Sequence, residues 1–411
     1  PGYRVLHEDV NVVAGGTSYD LSLTPAPTVL LVAADASYGW FYGRPVHNFF
    51  IWALDETDYL YDLWEIEYTT FTDTQTLPDG SLGYGIPSVP TLRAYDLVIW
   101  AHTARSPSGI GAGDELVVYL NSGGRLILSG QDIGYHEGSG EFYQLWLHAD
   151  YVADAAAGVG ETISGVDFLD GLNLEVTNAA LHGYANTALG FYPDAVAPRD
   201  GAAYPVLTYD NGSGAAVLAI DPCDAGYRAV YLAVGYENIG PRADNRDPAI
   251  AQVIDESIQW AWGTKPAYDV KVVTTPARQA GGPGSTVIYD VQVINAGAMA
   301  DAFSLSVDGN LWATRIYSGG VELTSPVEIP PCNTQDLTLE VDIPDTANAG
   351  DEDTATLTAI GQASDSADVT TVAFLQWQIE TAMPTPRYRL AAVNLSDDVY
   401  YYAIGGNVVN I

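Results

Sequence analysis

Arg125-Leu-Ile-Leu-Ser-Gly-Gln-Asp-Ile-Gly134 starts as an apolar run and breaks at a Gly-x-Asp-x-Gly turn. A buried strand running into such a turn has the form of a nucleophile elbow, which lifts one side chain above the carboxyl edge of a sheet. Here the lifted position is Asp132, where acyl transfer uses Cys or Ser. A carboxylate ionised at neutral pH is a poor acyl nucleophile, and a neighbouring imidazole base does nothing to activate it. The stretch therefore predicts catalytic architecture without its nucleophile.

Working outward, Val29–Ala34 and Asp96–Ala101 are further apolar runs of the kind buried on both faces of a sheet. Helical patterns at 45–55, 114–120 and 140–147 alternate with these runs and with a strand at 61–67. That alternation predicts a parallel, doubly wound α/β domain over residues 27–264. Strands at 204–209 and 215–220 flank Asn211-Gly212, a strong hairpin signal. Asp247 as N-cap, Pro248 at the first helical position and Gly263 as a stop predict a closing helix.

Residues 265–376 change period. Several short alternating strands, separated by turns rich in Gly, Pro, Asn and Asp, predict an immunoglobulin-like β-sandwich. The whole is then α/β plus all-β, with β-strand extensions at 1–26 and 377–411.

Four resemblances accompany this reading. Residues 27–263 resemble the class I glutamine amidotransferase-like, flavodoxin-like domains carried by large secreted bacterial proteins. Active members present Gly-x-Cys-x-Gly at the elbow and a His with a nearby Glu after a later strand. Here the elbow reads Gly130-Gln131-Asp132-Ile133-Gly134 and the later strand ends Ala233-Val234-Gly235-Tyr236-Glu237-Asn238. Nucleophile and histidine are both missing, which implies no amidotransferase activity and leaves Glu237 with no histidine to orient. Tyr289-Asp290-Val291-Gln292-Val293-Ile294-Asn295-Ala296-Gly297 resembles a strand of sandwich modules in bacterial secreted proteins. Met383-Pro384-Thr385-Pro386-Arg387-Tyr388 and Tyr401-Tyr402-Ala403-Ile404-Gly405-Gly406 resemble the opening of a Kelch repeat. Val10–Leu23, turning at Gly15-Gly16, resembles the last hairpin of a carboxypeptidase regulatory-like domain.

Composition excludes some partners. The 411 residues carry 15 basic and 52 acidic side chains, a formal charge of -37, and Lys265 and Lys271 are the only lysines. Phosphate backbones and anionic bilayers attract clustered cations, so neither nucleic acid nor an anionic membrane surface is an expected partner. No apolar run is long enough to span a bilayer. Such acidity suits a secreted or cell-surface protein kept soluble by self-repulsion. The start at Pro1 is the expectation of a mature or excised piece. Cys223 and Cys332 are the only cysteines; the spacing leaves open a bridge or two buried thiols.

At the carboxyl edge the candidate polar residues are Asp35, His102, Asp132, His136 and Glu237, which suit acid–base work, metal binding or plain capping of helices. His47 and His148 read as packing residues within helices. A calcium site is a candidate at Asp342, Asp345, Asp351 and Asp353, since carboxylate oxygens suit that ion; solvated acidic loops share the pattern. Exposed aromatics at 38–42 and 400–402 suit stacking on polysaccharide or a protein partner. Asn211 and Asn394 begin glycosylation sequons.

The expected function is that of a non-catalytic extracellular structural or interaction protein. In its sharper form the chain self-associates into a filament or surface layer by strand exchange through its incomplete end modules. The alternative is an accessory region of a larger secreted peptidase or glycan-active enzyme.

Overall fold

The computed structural model describes residues 2–7, 22–34, 46–66, 85–102, 111–177, 191–222, 226–240, 247–324 and 326–374, and the backbone of four short strands beyond residue 386. Asp35, the aromatic loop at 38–42, His182, Cys223 and most of the stretch from Val10 to Leu23 lie outside the described residues. The chain divides into two compact units, the first being Pro1–Ala267 with Ala296–Ala298 and Pro331–Asn333, and the second the remainder.

In the first unit, β1 (Gly2–Tyr3) pairs with β2 (Pro25–Ala26). There follow β3 (Val29–Ala33), α1 (His47–Glu56), β4 (Tyr61–Glu65), α2 (Val89–Leu92), β5 (Leu97–Ala101), α3 (Gly113–Asn121) and β6 (Arg125–Ser129). Next come α4 (Ile133–Glu137), α5 (Glu141–Leu145), β7 (Ala149–Ala153), β8 (Thr162–Gly165), β9 (Asn173–Glu175) and β10 (Ala195–Pro198). The unit ends with β11 (Ala203–Tyr209), β12 (Ala215–Ile220), β13 (Arg228–Leu232) and α6 (Pro248–Trp262).

Eleven of these strands form one mixed sheet in the order β4-β3-β5-β6-β13-β12-β11-β8-β9, with β10 joining β12 to β7. Only the run from β4 to β13 is parallel. The pairings of β12, β11, β8, β9, β10 and β7 are antiparallel.

This corrects the expected fold class. Among the described residues the protein is mostly β, with 42% in strands against 18% in helix, and its mixed sheet is not a parallel doubly wound α/β domain. The strand–helix alternation that suggested one ends with α5 at Leu145. Beyond it the sheet grows by hairpins and by short strands such as β8 and β9, whose mixed burial gives no continuous apolar run. Each of the strands β3, β5, β12 and β13 is buried along its whole length, which is why these are the legible ones.

Polar ties fix the rim of this unit. Asp247 caps α6 through the Ala249 N–H at 2.9 Å, with Pro248 in the first turn. Arg4 pairs with Asp255 on α6 at 2.5 Å, and its guanidinium lies 4.4 Å over the Tyr59 ring, fastening the residues after β1. Arg228 donates twice to Asp221 and once to the Trp260 carbonyl, and Lys265 approaches Asp221 at 3.4 Å. Arg199 pairs with Asp150.

The second unit is built from two five-stranded sheets. One is β14 (Val270–Thr275), β16 (Thr286–Asn295), β21 (Thr334–Asp342), β18 (Ala313–Ser318) and β19 (Val321–Glu322) in that order. The other is β15 (Arg278–Gly281), β23 (Ser364–Ala373), β22 (Glu352–Ile360), β17 (Asp301–Asp308) and β20 (Val327–Ile329). Alternate residues of β16, including Tyr289, Val291 and Val293, meet Phe303, Leu339, Leu357 and Val369 in a shared core. Ion pairs link Lys271 to Asp269, Arg278 to Glu352, and Arg315 to Asp342. Cys332, which belongs to the first unit, is disulfide-bonded.

Near the C-terminus, β24 (Arg387–Tyr388) pairs with β27 (Asn407–Val408), and β25 (Ala391–Asn394) with β26 (Tyr401–Ile404). The residues between these strands, and most of the Kelch-like stretch from Met383, lie outside the described residues.

Candidate functional site

The turn after β6 is built as the sequence predicts but serves a different set of neighbours. Asp132 adopts φ 66° and ψ 2°, the left-handed region, which is costly for a residue with a Cβ and is typical of functional turns. Its side chain does not cap α4. The cap comes from Asp194, 62 positions on, whose Oδ2 accepts the Gly134 N–H at 2.8 Å and the Tyr135 N–H at 3.3 Å. Expecting Asp132 to act as its own helix cap is therefore wrong; a remote carboxylate does that work. Space around this contact is tight, since a Cβ on Gly134 would meet Tyr143 Oη at 2.7 Å and Asp194 Oδ2 at 3.0 Å.

The ends of β6 and β13 are stitched together. Leu232 is in register with Ser129, Ser129 Oγ accepts the Tyr236 N–H, and Gln131 Oε1 accepts from Asn238 and from the Tyr192 N–H. The later-strand turn thus lies beside the elbow, with Glu237 buried in it. His102, at the end of β5, is also buried, and its backbone N–H bonds to the Ser129 carbonyl. His136 is exposed on α4 and lines a separate cleft of about 460 Å³ with Asp114, Glu137 and Glu141.

What converges on Asp132 is carboxylate. One ligand oxygen each from Asp132, Asp154 and Asp194 lies within 4.8 Å of the other two, and no imidazole belongs to this group. Among the described residues it is the one cluster of three or more metal-ligating side chains so arranged. The fold makes it through β7 and β10, which pair antiparallel with Ala195 opposite Ala153. One step beyond that pair, Asp194 and Asp154 face each other. Like charges in such positions repel.

Electrostatics record the strain. Burial, with Asp154 adding to it, pushes the Asp132 carboxyl up to about 6. Burial and the neighbouring carboxylates push Asp194 up to about 8, against the pull of its two backbone donors. Asp194 is wholly buried, and its Oδ1 has no hydrogen-bond partner. The hydroxyls of Tyr143 and Tyr231 lie close by, the rings meeting edge-on at 5.8 Å without a well-directed hydrogen bond between them. Asp194 raises both phenols further.

Asp154 and Asp194 escaped the sequence reading, being far apart in the chain and flanking strands without an apolar run. The one available signal was a single Asp flanking each of two short β-prone segments, Asp154 after β7 and Asp194 before β10. The four acids expected to hold calcium are not brought together. Asp342 bonds to Thr286 and Arg315, Asp351 accepts from Asn348, and buried Asp353 accepts the Leu311 and Trp312 N–H groups. Asp345 lies against Gly284. Of the packing histidines, His47 is buried and His148 bonds to Asp200 at 2.9 Å.

No known family model matches the chain, and no curated protein matches it. Solved structures give partial likenesses. One is a family 123 glycoside hydrolase from Clostridium perfringens, at 7% identity over 26% of this chain and 27% of that one, TM-score 0.22. A FixG-related protein from Vibrio parahaemolyticus is 14% identical over 26% of this chain and 98% of its own, TM-score 0.21. The major pilin subunit BcpA of Bacillus cereus is 8% identical over 26% and 40%, TM-score 0.18. Likeness at this level assigns neither fold nor function.

Proposed function

We propose that this chain is a non-catalytic structural and interaction module of an extracellular or cell-surface protein. The observation that carries the reading is the composition of the elbow: Asp132 occupies the raised position, and its partners are Asp154 and Asp194 rather than an imidazole. The Cys nucleophile and imidazole base of an acyl-transfer elbow are both missing from this group. The disulfide at Cys332 suits an oxidising compartment, and the charge of -37 suits solubility there. Strand exchange between copies is the more specific form of this reading, yet it starts from end strands that already pair within the chain: β1 with β2, β24 with β27, β25 with β26.

The test has two measurements. Amidase, peptidase and glycosidase substrates are expected to show no turnover, and a turnover that Asp132→Ala abolishes sinks the assignment. Light scattering over a wide concentration range then reads assembly. A constant 43.8 kDa particle fits a spacer module, whereas open-ended growth fits strand exchange.

A further inference from the structure

We propose that Asp132, Asp154 and Asp194 form a binding site for one hard divalent cation, calcium in the first instance. The inference stands independently of whether the chain is catalytic. Calcium–oxygen distances are about 2.3–2.6 Å, so one ion accommodates ligand oxygens separated by up to about 5 Å. The three carboxylate oxygens lie within 4.8 Å of each other, inside that limit.

Proximity of acids alone does not make a site, and one further observation points to a ligand. Asp194 is wholly buried and its Oδ1 has no hydrogen-bond partner, while Oδ2 is held by the Gly134 and Tyr135 N–H groups. A buried carboxylate oxygen left without a donor costs on the order of 1–3 kcal/mol, and a cation removes that cost. The fold accounts for the cluster. Asp154 and Asp194 each lie one residue beyond the Ala153–Ala195 pair that ends the β7–β10 ladder, and the turn at Asp132 brings a third acid to the same spot.

The geometry also describes how the ion sits. Asp194 forms the floor, fixed by its backbone donors, and Asp132 forms a wall with little exposure. Asp154 is exposed, so that side of the ion faces solvent and water completes the shell, as calcium's six to eight ligands require. Tyr135 and Tyr151 pack edge-to-face at 6.4 Å beside the cluster. Their rings are placed to sensitise a lanthanide substitute.

The experiment uses the full chain after chelator treatment. Calcium titrated calorimetrically, and terbium followed by tyrosine-sensitised emission, are expected to report a site that Asp154→Asn weakens about tenfold or more. Saturating calcium is expected to raise the unfolding midpoint by about 5 °C, a shift absent in that variant. Because Asp154 is exposed, the variant keeps the native fold, which circular dichroism checks. Asp351→Asn, in the second unit, is expected to leave the terbium signal unchanged. The proposal is overturned if neither calcium, magnesium nor manganese binds the wild type. It is equally overturned if folded Asp154→Asn binds with wild-type affinity.

Discussion

Replacing Asp194 with asparagine isolates the energetic consequence of a buried acid beneath an elbow. Asp194 has its carboxyl raised from 3.8 to about 8, so it holds its proton more tightly when folded than when unfolded. A group of that kind stabilises fully below pH 4, and the contribution is lost as pH rises through the folded value. Each pH unit between these limits removes up to about 1.4 kcal/mol. The isoelectric point near 4.1 makes about pH 5.5 the practical lower limit for a soluble sample. From there to pH 8 the loss is at most about 3 kcal/mol in chelator-treated wild type. Asp194→Asn keeps an oxygen to accept the Gly134 and Tyr135 N–H groups, and its new amide has the Tyr143 and Tyr231 hydroxyls nearby. Urea unfolding of both proteins at several pH values gives the difference between them, in which general charge repulsion cancels. The variant is expected to gain on the wild type by up to about 3 kcal/mol from pH 5.5 to 8. A difference independent of pH, or one of opposite slope, refutes the buried-acid reasoning.

Other expectations concern packing and pairing. Gly134→Ala places a Cβ against Tyr143 Oη and Asp194 Oδ2, and is expected to cost about 1–3 kcal/mol in denaturant unfolding. Asp353→Ala strips acceptors from the Leu311 and Trp312 N–H groups; a loss of about 1–3 kcal/mol is expected in the second unit, and an unchanged midpoint contradicts it. Arg228→Met removes the guanidinium that pairs with Asp221, and about 3 kcal/mol of destabilisation is expected by the same assay. Thiol titration of the denatured, unreduced chain should find no free thiol, and two after reduction, given the disulfide at Cys332 and two cysteines in all.

Individual elements were legible where local chemistry was decisive. The apolar runs gave β3, β5 and β6, Asn211-Gly212 gave the hairpin of β11 and β12, and Asp247-Pro248 gave the start of α6. The architecture was not legible, because it depends on what β13 and its neighbours pair with. Antiparallel addition of β12, β11, β8 and β9 to a parallel run leaves no mark in any one segment. The elbow was found through its glycines, and Asp132 with it. Its partners were hidden because a strand register, Ala195 opposite Ala153, is what brings Asp154 and Asp194 together. In the second unit the alternation in β16, β21 and β22 was plain, while β15 and β19 are too short to carry a period.

Of the fifteen basic residues, seven are engaged with carboxylates among the described residues: Arg4, Arg199, Arg228, Lys265, Lys271, Arg278 and Arg315. So large a share of the positive charge is neutralised internally that the outward field is set by unmatched acids. Such a molecule behaves in solution as a polyanion, surrounded by an atmosphere of mobile counter-ions whose density follows the ionic strength. Two copies approaching each other must compress those atmospheres. Encounter rates between them therefore rise steeply with added salt, and a cationic surface or partner captures the chain from a distance at which none of its shape is yet felt.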